Sequence, residues 1–215
     1  MAIVKNVELW WVKCDAKRPI KNQDAGKPDY WEIQLRTTDK KLALEWAKEN
    51  VKFKPLKRTL RDEEGNPILD DMGEEQSELV LSDEGKPYFA VKVRRKVRKN
   101  EEDNIELDNN GEPKIVKFVG GNLQKIDPNT VGNKSVGNVN LYQYPYSFKQ
   151  NGKTVEGIAN TLMSVQVTKL HKYESKSSEG FEMTDMEVID GSGNVSRATE
   201  SADHDDNDID DDIPF

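Results

Sequence analysis

The chain has 215 residues, with 32 Lys and Arg against 40 Asp and Glu, a formal net charge of −8, and 34% hydrophobic residues. That supports one modest core, hence one domain with an appendage. No run approaches the ~18–20 apolar residues of a membrane-spanning helix, and the start MAIVKNVELWW lacks a signal-peptide pattern. Cys14 is the only cysteine and His171 and His204 the only histidines, which excludes intrachain disulfides and leaves little for thiolate or histidine chemistry.

In chain order, 3–13 is an extended segment in which Val7, Leu9 and Trp11 alternate inward, leaving Trp10 for the opposite face. Residues 30–38 form a strand with Trp31, Ile33 and Leu35 inside and Tyr30, Glu32, Gln34 and Arg36 outside. A helix is predicted over 39–50, capped by Asp39, with Leu42, Ala43 and Trp46 buried. The stretch 57–85 is rich in turns and acids and reads as a hairpin or mobile insertion. A strand follows at 88–98, with Phe89, Val91, Val93 and Val97 on a core face that Arg95 interrupts. Its other face carries Tyr88, Ala90, Lys92, Arg94, Lys96 and Arg98. Further extended segments lie at 115–119, 136–148 and 161–173; in the second, Tyr142, Tyr144, Tyr146 and Phe148 share a face, and Pro145 makes it an edge or a break. Gly-x-Pro marks at 26–28, 65–67, 85–87 and 111–113 read as loop exits into strands.

Charge is unevenly placed. Residues 199–215 hold eight acids and no base, so 1–198 balance at 32 of each sign. This tail is expected to be disordered, but Ile213, Pro214 and Phe215 at its end form an apolar anchor beside a carboxylate, the makings of a peptide ligand. Within the body, 86–99 carries seven bases and no acid, and 52–61 adds Lys52, Lys54, Lys57, Arg58 and Arg61.

A sheet face with cations at every second position and rings nearby suits single-stranded nucleic acid. The cations meet phosphates, and unpaired bases stack on rings for ~1–3 kcal/mol each. The candidate contacts are Lys92, Arg94, Lys96 and Arg98, extended by Lys52, Lys54 and Arg36, with Tyr88, Tyr142, Tyr144, Tyr146, Trp10 and Tyr30 as stacking rings. Five or six engaged cations predict a salt slope of roughly −3.5 to −4. No phosphate-binding glycine loop, nucleophile elbow or metal-ligand spacing is present, so no catalysis, cofactor or metal is expected. A solvated strand face for the cations, and rim packing for the tyrosines, are the competing readings.

Asp210-Asp211-Asp212-Ile213-Pro214-Phe215 resembles the C-terminal tip of bacterial single-stranded DNA-binding proteins in all six residues, and 132–173 resembles single-stranded DNA-binding proteins of tailed bacteriophages. The second resemblance rests on a Gly-Asn turn, a strand ending in Tyr144-Pro145-Tyr146 and a following strand, SVQVTKL. It implies an OB fold, a five-stranded Greek-key barrel, over 1–198, with 57–85 as an insertion, one short helix and a tail at 199–215. It also implies coating of single-stranded DNA in phage replication, recombination and repair, in the cytoplasm of a bacterial host. Asp210 to Phe215 would then recruit replication and repair enzymes, while the acidic tail competes for the DNA groove. Self-association, a strand-annealing mediator that also holds duplex, and a protein adaptor that never touches DNA stay open. The zinc site of some phage relatives has no counterpart among these residues.

Overall fold

The computed structural model describes residues 1–24, 26–150 and 153–172. Five strands close into a barrel: β1 (Ala2–Lys13), β2 (Tyr30–Thr37), β6 (Phe89–Lys96), β8 (Ser135–Gln150) and β9 (Lys153–Lys169). Between β2 and β6 lie α1 (Lys40–Lys48), β3 (Lys54–Pro55), β4 (Lys57–Thr59) and β5 (Ser77–Leu79), and between β6 and β8 lies β7 (Lys117–Gly120). Neighbours around the barrel run β6, β2, β1, β8, β9, all antiparallel, and a parallel pairing of Arg94 with Thr161 joins β9 back to β6. That order is the OB barrel expected from the sequence.

Closure depends on bending β1, which serves β8 with its first half and β2 with its second. Registers slip between Val4 and Val7 and between Trp10 and Lys13, and Asn6 and Trp11 take left-handed φ values of 54° and 51° at those places. Each slip is a bulge that adds a residue and turns the strand. The second bulge corrects the sequence reading of Trp11. Simple alternation buries it, but the extra residue turns it outward, and it is 42% exposed. At Gly137 β8 crosses so close to β9 that an added Cβ would lie 2.7 Å from the Gln166 carbonyl oxygen, so only glycine fits.

Alternation otherwise holds. Leu9, Trp31, Ile33, Leu35, Leu141, Leu162 and Val165 are fully buried and fill the barrel. The Trp31 indole Nε1–H reaches the Asp15 carbonyl at 2.9 Å. Asp39 caps α1 by accepting from the N–H groups of Lys41 and Leu42, and Ala43 and Trp46 bury its inner face, Trp46 packing 4.9 Å from Phe53. β9 begins at Lys153, eight residues before the predicted strand, so β8 and β9 pair continuously out to Gln150 and Lys153. Along that outer arm β8 has lost its other neighbour, since its pairing with β1 ends at Leu141. Pro145 therefore sits in an edge strand, opposite Ile158, where its missing N–H costs no ladder bond.

The acidic stretch is ordered as hairpins. Among the described residues, six turns share one geometry: the first residue donates to the carbonyl of the fifth, the fourth donates to the carbonyl of the first, and the fourth has positive φ. They begin at Asp62, Asp70, Ser82, Asn100, Asp108 and Gly120, with Gly65, Gly73, Gly85, Asp103, Gly111 and Leu123 in the left-handed position. In the first five, the leading side chain also accepts a backbone N–H of the fifth residue. Those backbone donors are the main reason why the Asp62 and Asp108 carboxyls are held below the usual carboxylate range. The first three hairpins meet at two closed backbone circuits, one through Leu60, Ile68 and Gln76 and one through Leu56, Val80 and Tyr88. The second circuit lays Leu56 and Val80 over the outer side of the barrel, against Tyr88, Ala90 and Trp10.

Candidate nucleic-acid interface

Ile33 and Val93 pair inside the barrel, so their neighbours in β2 and β6 point outward. Register then sets the outer face row by row. Trp10, Gln34 and Lys92 align across β1, β2 and β6; Lys13, Glu32 and Arg94 form the next row; Tyr30 pairs with Lys96 beyond it. On the other side of the Trp10 row stand Glu8, Arg36, Ala90 and, from β3, Lys54. Three adjacent strands therefore present Trp10, Tyr30, Lys92, Arg94 and Lys96 together. The Lys13 row continues through Thr161 of β9 to Tyr142 of β8, so the β8 rings join the same outer surface around the seam. Along that row four strand spacings, about 19 Å of curved surface, separate Tyr142 from Lys13.

The middle of this face is positive. Arg94 is ion-paired with Glu32 and lies 4.7 Å from the Tyr30 ring centroid. Lys96 has its ammonium held below the usual lysine range, first by partial loss of its hydration and then by the like charges of Arg98 and Lys27. Lys92 is half-buried, and Lys54, Lys96 and Arg98 are exposed. Arg98 lies just past β6, where hairpin 98–106 begins, and Lys52 is exposed on the connection from α1 to β3. Arg95 points the other way, donating to the Ile115 carbonyl at 3.1 Å.

One end of the face is roofed. Tyr88 and Arg36 are only 4% and 8% exposed, which corrects their reading as surface contacts. For Tyr88 the cause is distant in sequence: the hairpin circuit brings Leu56 and Val80 against it, while the guanidinium of Arg36 lies against the rings of Trp10 and Tyr88. The Arg36 guanidinium carbon stacks 4.0 Å from the Trp10 ring centroid, and its Nε donates to Gln34 Oε1 at 2.6 Å. Trp10 stays half-buried at the edge of the roof, in edge contact with Tyr88 at 6.0 Å.

Along the β8–β9 arm the rings stack in pairs, Tyr142 on Tyr144 at 6.2 Å and Tyr146 on Phe148 at 5.9 Å. Tyr142 is 49% exposed, whereas Tyr144 and Tyr146 are half-buried. The Tyr146 ring lies over Gly157, where an added Cβ would collide with its hydroxyl oxygen and ring carbons; the glycine is the seat of that ring. On the opposite side of the arm Gln143 and Asn160 donate to the carbonyls of Glu49 and Asn50, which anchors its base to the end of α1.

Of the predicted contacts, the structure brings Trp10, Tyr30, Lys54, Lys92, Arg94, Lys96 and Tyr142 onto one outer surface. It sets Tyr144 and Tyr146 further along the arm, places Lys52 and Arg98 at the margins and withdraws Arg36 and Tyr88 beneath the roof. Asp210 to Phe215 and the boundary at 198 lie outside the described residues. Sequence reasoning missed Glu8, Lys13 and Trp11 as members of this surface; the adjacent pair Trp10-Trp11, which alternation can only split between faces, was the available hint of a bulge.

Fold and surface together define an OB-type barrel with a cationic, ring-bearing outer face. No family model and no curated protein matches the chain. Among solved structures it is similar to gp2.5, a single-stranded DNA-binding protein encoded by bacteriophage T7, at 11% identity and a TM-score of 0.42, over 86% of this chain and 97% of that one. It is also similar to the single-stranded DNA-binding protein of bacteriophage Enc34, at 14% identity and a TM-score of 0.40, over 85% and 87% of the two chains. The structure of that protein in complex with single-stranded DNA matches at 15% identity and a TM-score of 0.38, over 80% and 88%.

Proposed function

We propose that this protein binds single-stranded DNA on the outer face of β1, β2 and β6, with little sequence preference and without catalysis. The observation that carries the reading is the shared register of Trp10, Tyr30, Lys92, Arg94 and Lys96 on three adjacent strands. OB barrels use the face of their second and third strands, with the loops 1–2 and 4–5, for oligonucleotides; here those are β2, β6, the 14–29 connection and the β8–β9 tip. Cations hold phosphates, rings take bases, and duplex DNA hides the bases that the rings need. The finer role is coating of DNA intermediates in phage replication, recombination and repair. Asp210 to Phe215 recruits partner enzymes, an assignment supported by the six-residue likeness of the chain end to bacterial single-strand binders.

Fluorescence titration with oligo(dT) and a matched duplex at two salt concentrations tests this. Five engaged cations (Lys54, Lys92, Arg94, Lys96, Arg98) give a slope of about −3.5 in log K against log salt. Tryptophan quenching should accompany binding, and duplex should bind at least tenfold more weakly, the equivalent of about one lost stacked base. Equal affinity for duplex favours an annealing mediator instead. Absence of binding at low salt leaves the adaptor reading.

A further inference from the structure

Glu8 is an acid on a face that meets phosphates, where it repels the ligand. Its contacts supply a reason for its presence. One carboxylate oxygen accepts both the Trp10 indole N–H at 2.9 Å and the Tyr88 hydroxyl at 3.1 Å. Arg36 covers one side of the same indole, Tyr88 meets it in edge contact, and the ring as a whole stays half-buried. Tyr88 is in turn fixed by the backbone circuit through Leu56 and Val80, and its hairpin is tied to the start of β8 by an ion pair of Lys134 with Asp83 at 2.6 Å.

We infer that Glu8 is a positioning residue that orients Trp10 as a stacking platform, and that the hairpin unit 56–88 is the scaffold holding Glu8's second donor, Tyr88, in place. The inference rests on the DNA-binding reading above and adds to it the residue that aims one ring. A hydrogen bond to a carboxylate is stronger than one between neutral groups, and an indole has a single N–H, so one such bond fixes the direction of the ring in its plane. Burial and the neighbouring Glu8 carboxylate push the Tyr88 phenol up to about 12, so its hydroxyl remains a donor at neutral pH.

The test is a double-mutant cycle on the full chain, with affinity for oligo(dT) as the readout. A positioning role and a surface charge predict opposite signs. Glu8→Ala removes a repulsive charge, so a group acting only through its charge would tighten binding in any background. A positioning group weakens it, by roughly fivefold, a part of what one stacked ring supplies. In a Trp10→Ala background that loss should disappear and slight tightening should remain. Tyr88→Phe keeps the packing and the net charge; losing the hydroxyl should weaken binding about threefold, again only while Trp10 is present. The inference is overturned if Glu8→Ala tightens binding to the otherwise unaltered protein, if either substitution acts equally in both backgrounds, or if Trp10→Ala alone changes nothing. Failure of the parent protein to bind oligo(dT) overturns the functional proposal as well, so the two failures are distinguishable.

Discussion

Replacing Lys92, Arg94 and Lys96 together by alanine is expected to weaken oligo(dT) binding on the order of a hundredfold at low salt. Each lost cation forfeits about 1 kcal/mol of attraction to a phosphate in a watery setting, and three such losses sum to that factor. The salt slope should flatten by about 2 units, because three fewer counterions are released on a single strand. Arg94 has the largest single share, since its removal also leaves Glu32 without its ion-pair partner, facing the ligand. Replacing Lys40, Lys41 and Lys48 of α1 removes the same charge from a helix that takes no part in the strand rows of the face, and should change affinity by less than about threefold. Equal losses in the two triple variants would mean that net charge, and not the β6 ridge, attracts DNA.

The second large effect falls on stability. Trp31→Ala empties the largest side chain of the barrel and should cost about 3–5 kcal/mol. Against the 5–15 kcal/mol typical of a domain, that removes from about a fifth to all of the stability. Trp31→Phe refills part of the space but leaves the Asp15 carbonyl without its indole donor, and should cost about 1–3 kcal/mol. Urea denaturation followed by circular dichroism measures both. A loss below about 1 kcal/mol for the alanine variant would contradict the packing described for Trp31.

Much of the barrel was legible because one rule governs it. Trp31, Ile33 and Leu35 alternate with Tyr30, Glu32, Gln34 and Arg36, and the structure buries the first set in the barrel and points the second outward. Pairing was legible only through the family likeness, since nothing local in β6 announces that Arg94 meets Thr161 of β9. The rule failed in two ways. Alternation assumes one residue per rise, and the bulges at Asn6 and Trp11 insert extra ones. It also says which way a side chain points and not what covers it. Tyr88 and Arg36 do point outward, yet Leu56 and Val80 arrive against Tyr88 through a circuit closed by hairpins, and the Trp10 and Tyr88 rings lie against Arg36. The Gly-x-Pro marks at 65, 85 and 111 did identify three of the six turns. The Asp or Ser three residues ahead of each glycine, which supplies the side-chain acceptor, was the part of the pattern left unread.

The arrangement also explains how an acidic chain can present a cationic face. Acids of the hairpin region cluster around the turns, where carboxylates such as those of Asp62, Asp70 and Asp108 accept backbone N–H groups and others pair with nearby lysines such as Lys86, Lys99 and Lys117. Outward positions of β6 hold bases alone from Lys92 to Lys96. Local potential, set within a Debye length of about 8–10 Å, and not the net charge, decides what approaches that face.

The central claim is that bases lie on the rings of the outer face while phosphates follow the β6 ridge. Photo-crosslinking to oligo(dT) that carries 5-iododeoxyuridine, with the adducts located by mass spectrometry, reads it most directly. Adducts on Trp10 and Tyr30, joined by Tyr142 or Tyr144 from the arm, are the predicted result. Adducts confined to the hairpins of 60–76 and 98–114, with none on β1 or β2, would contradict it.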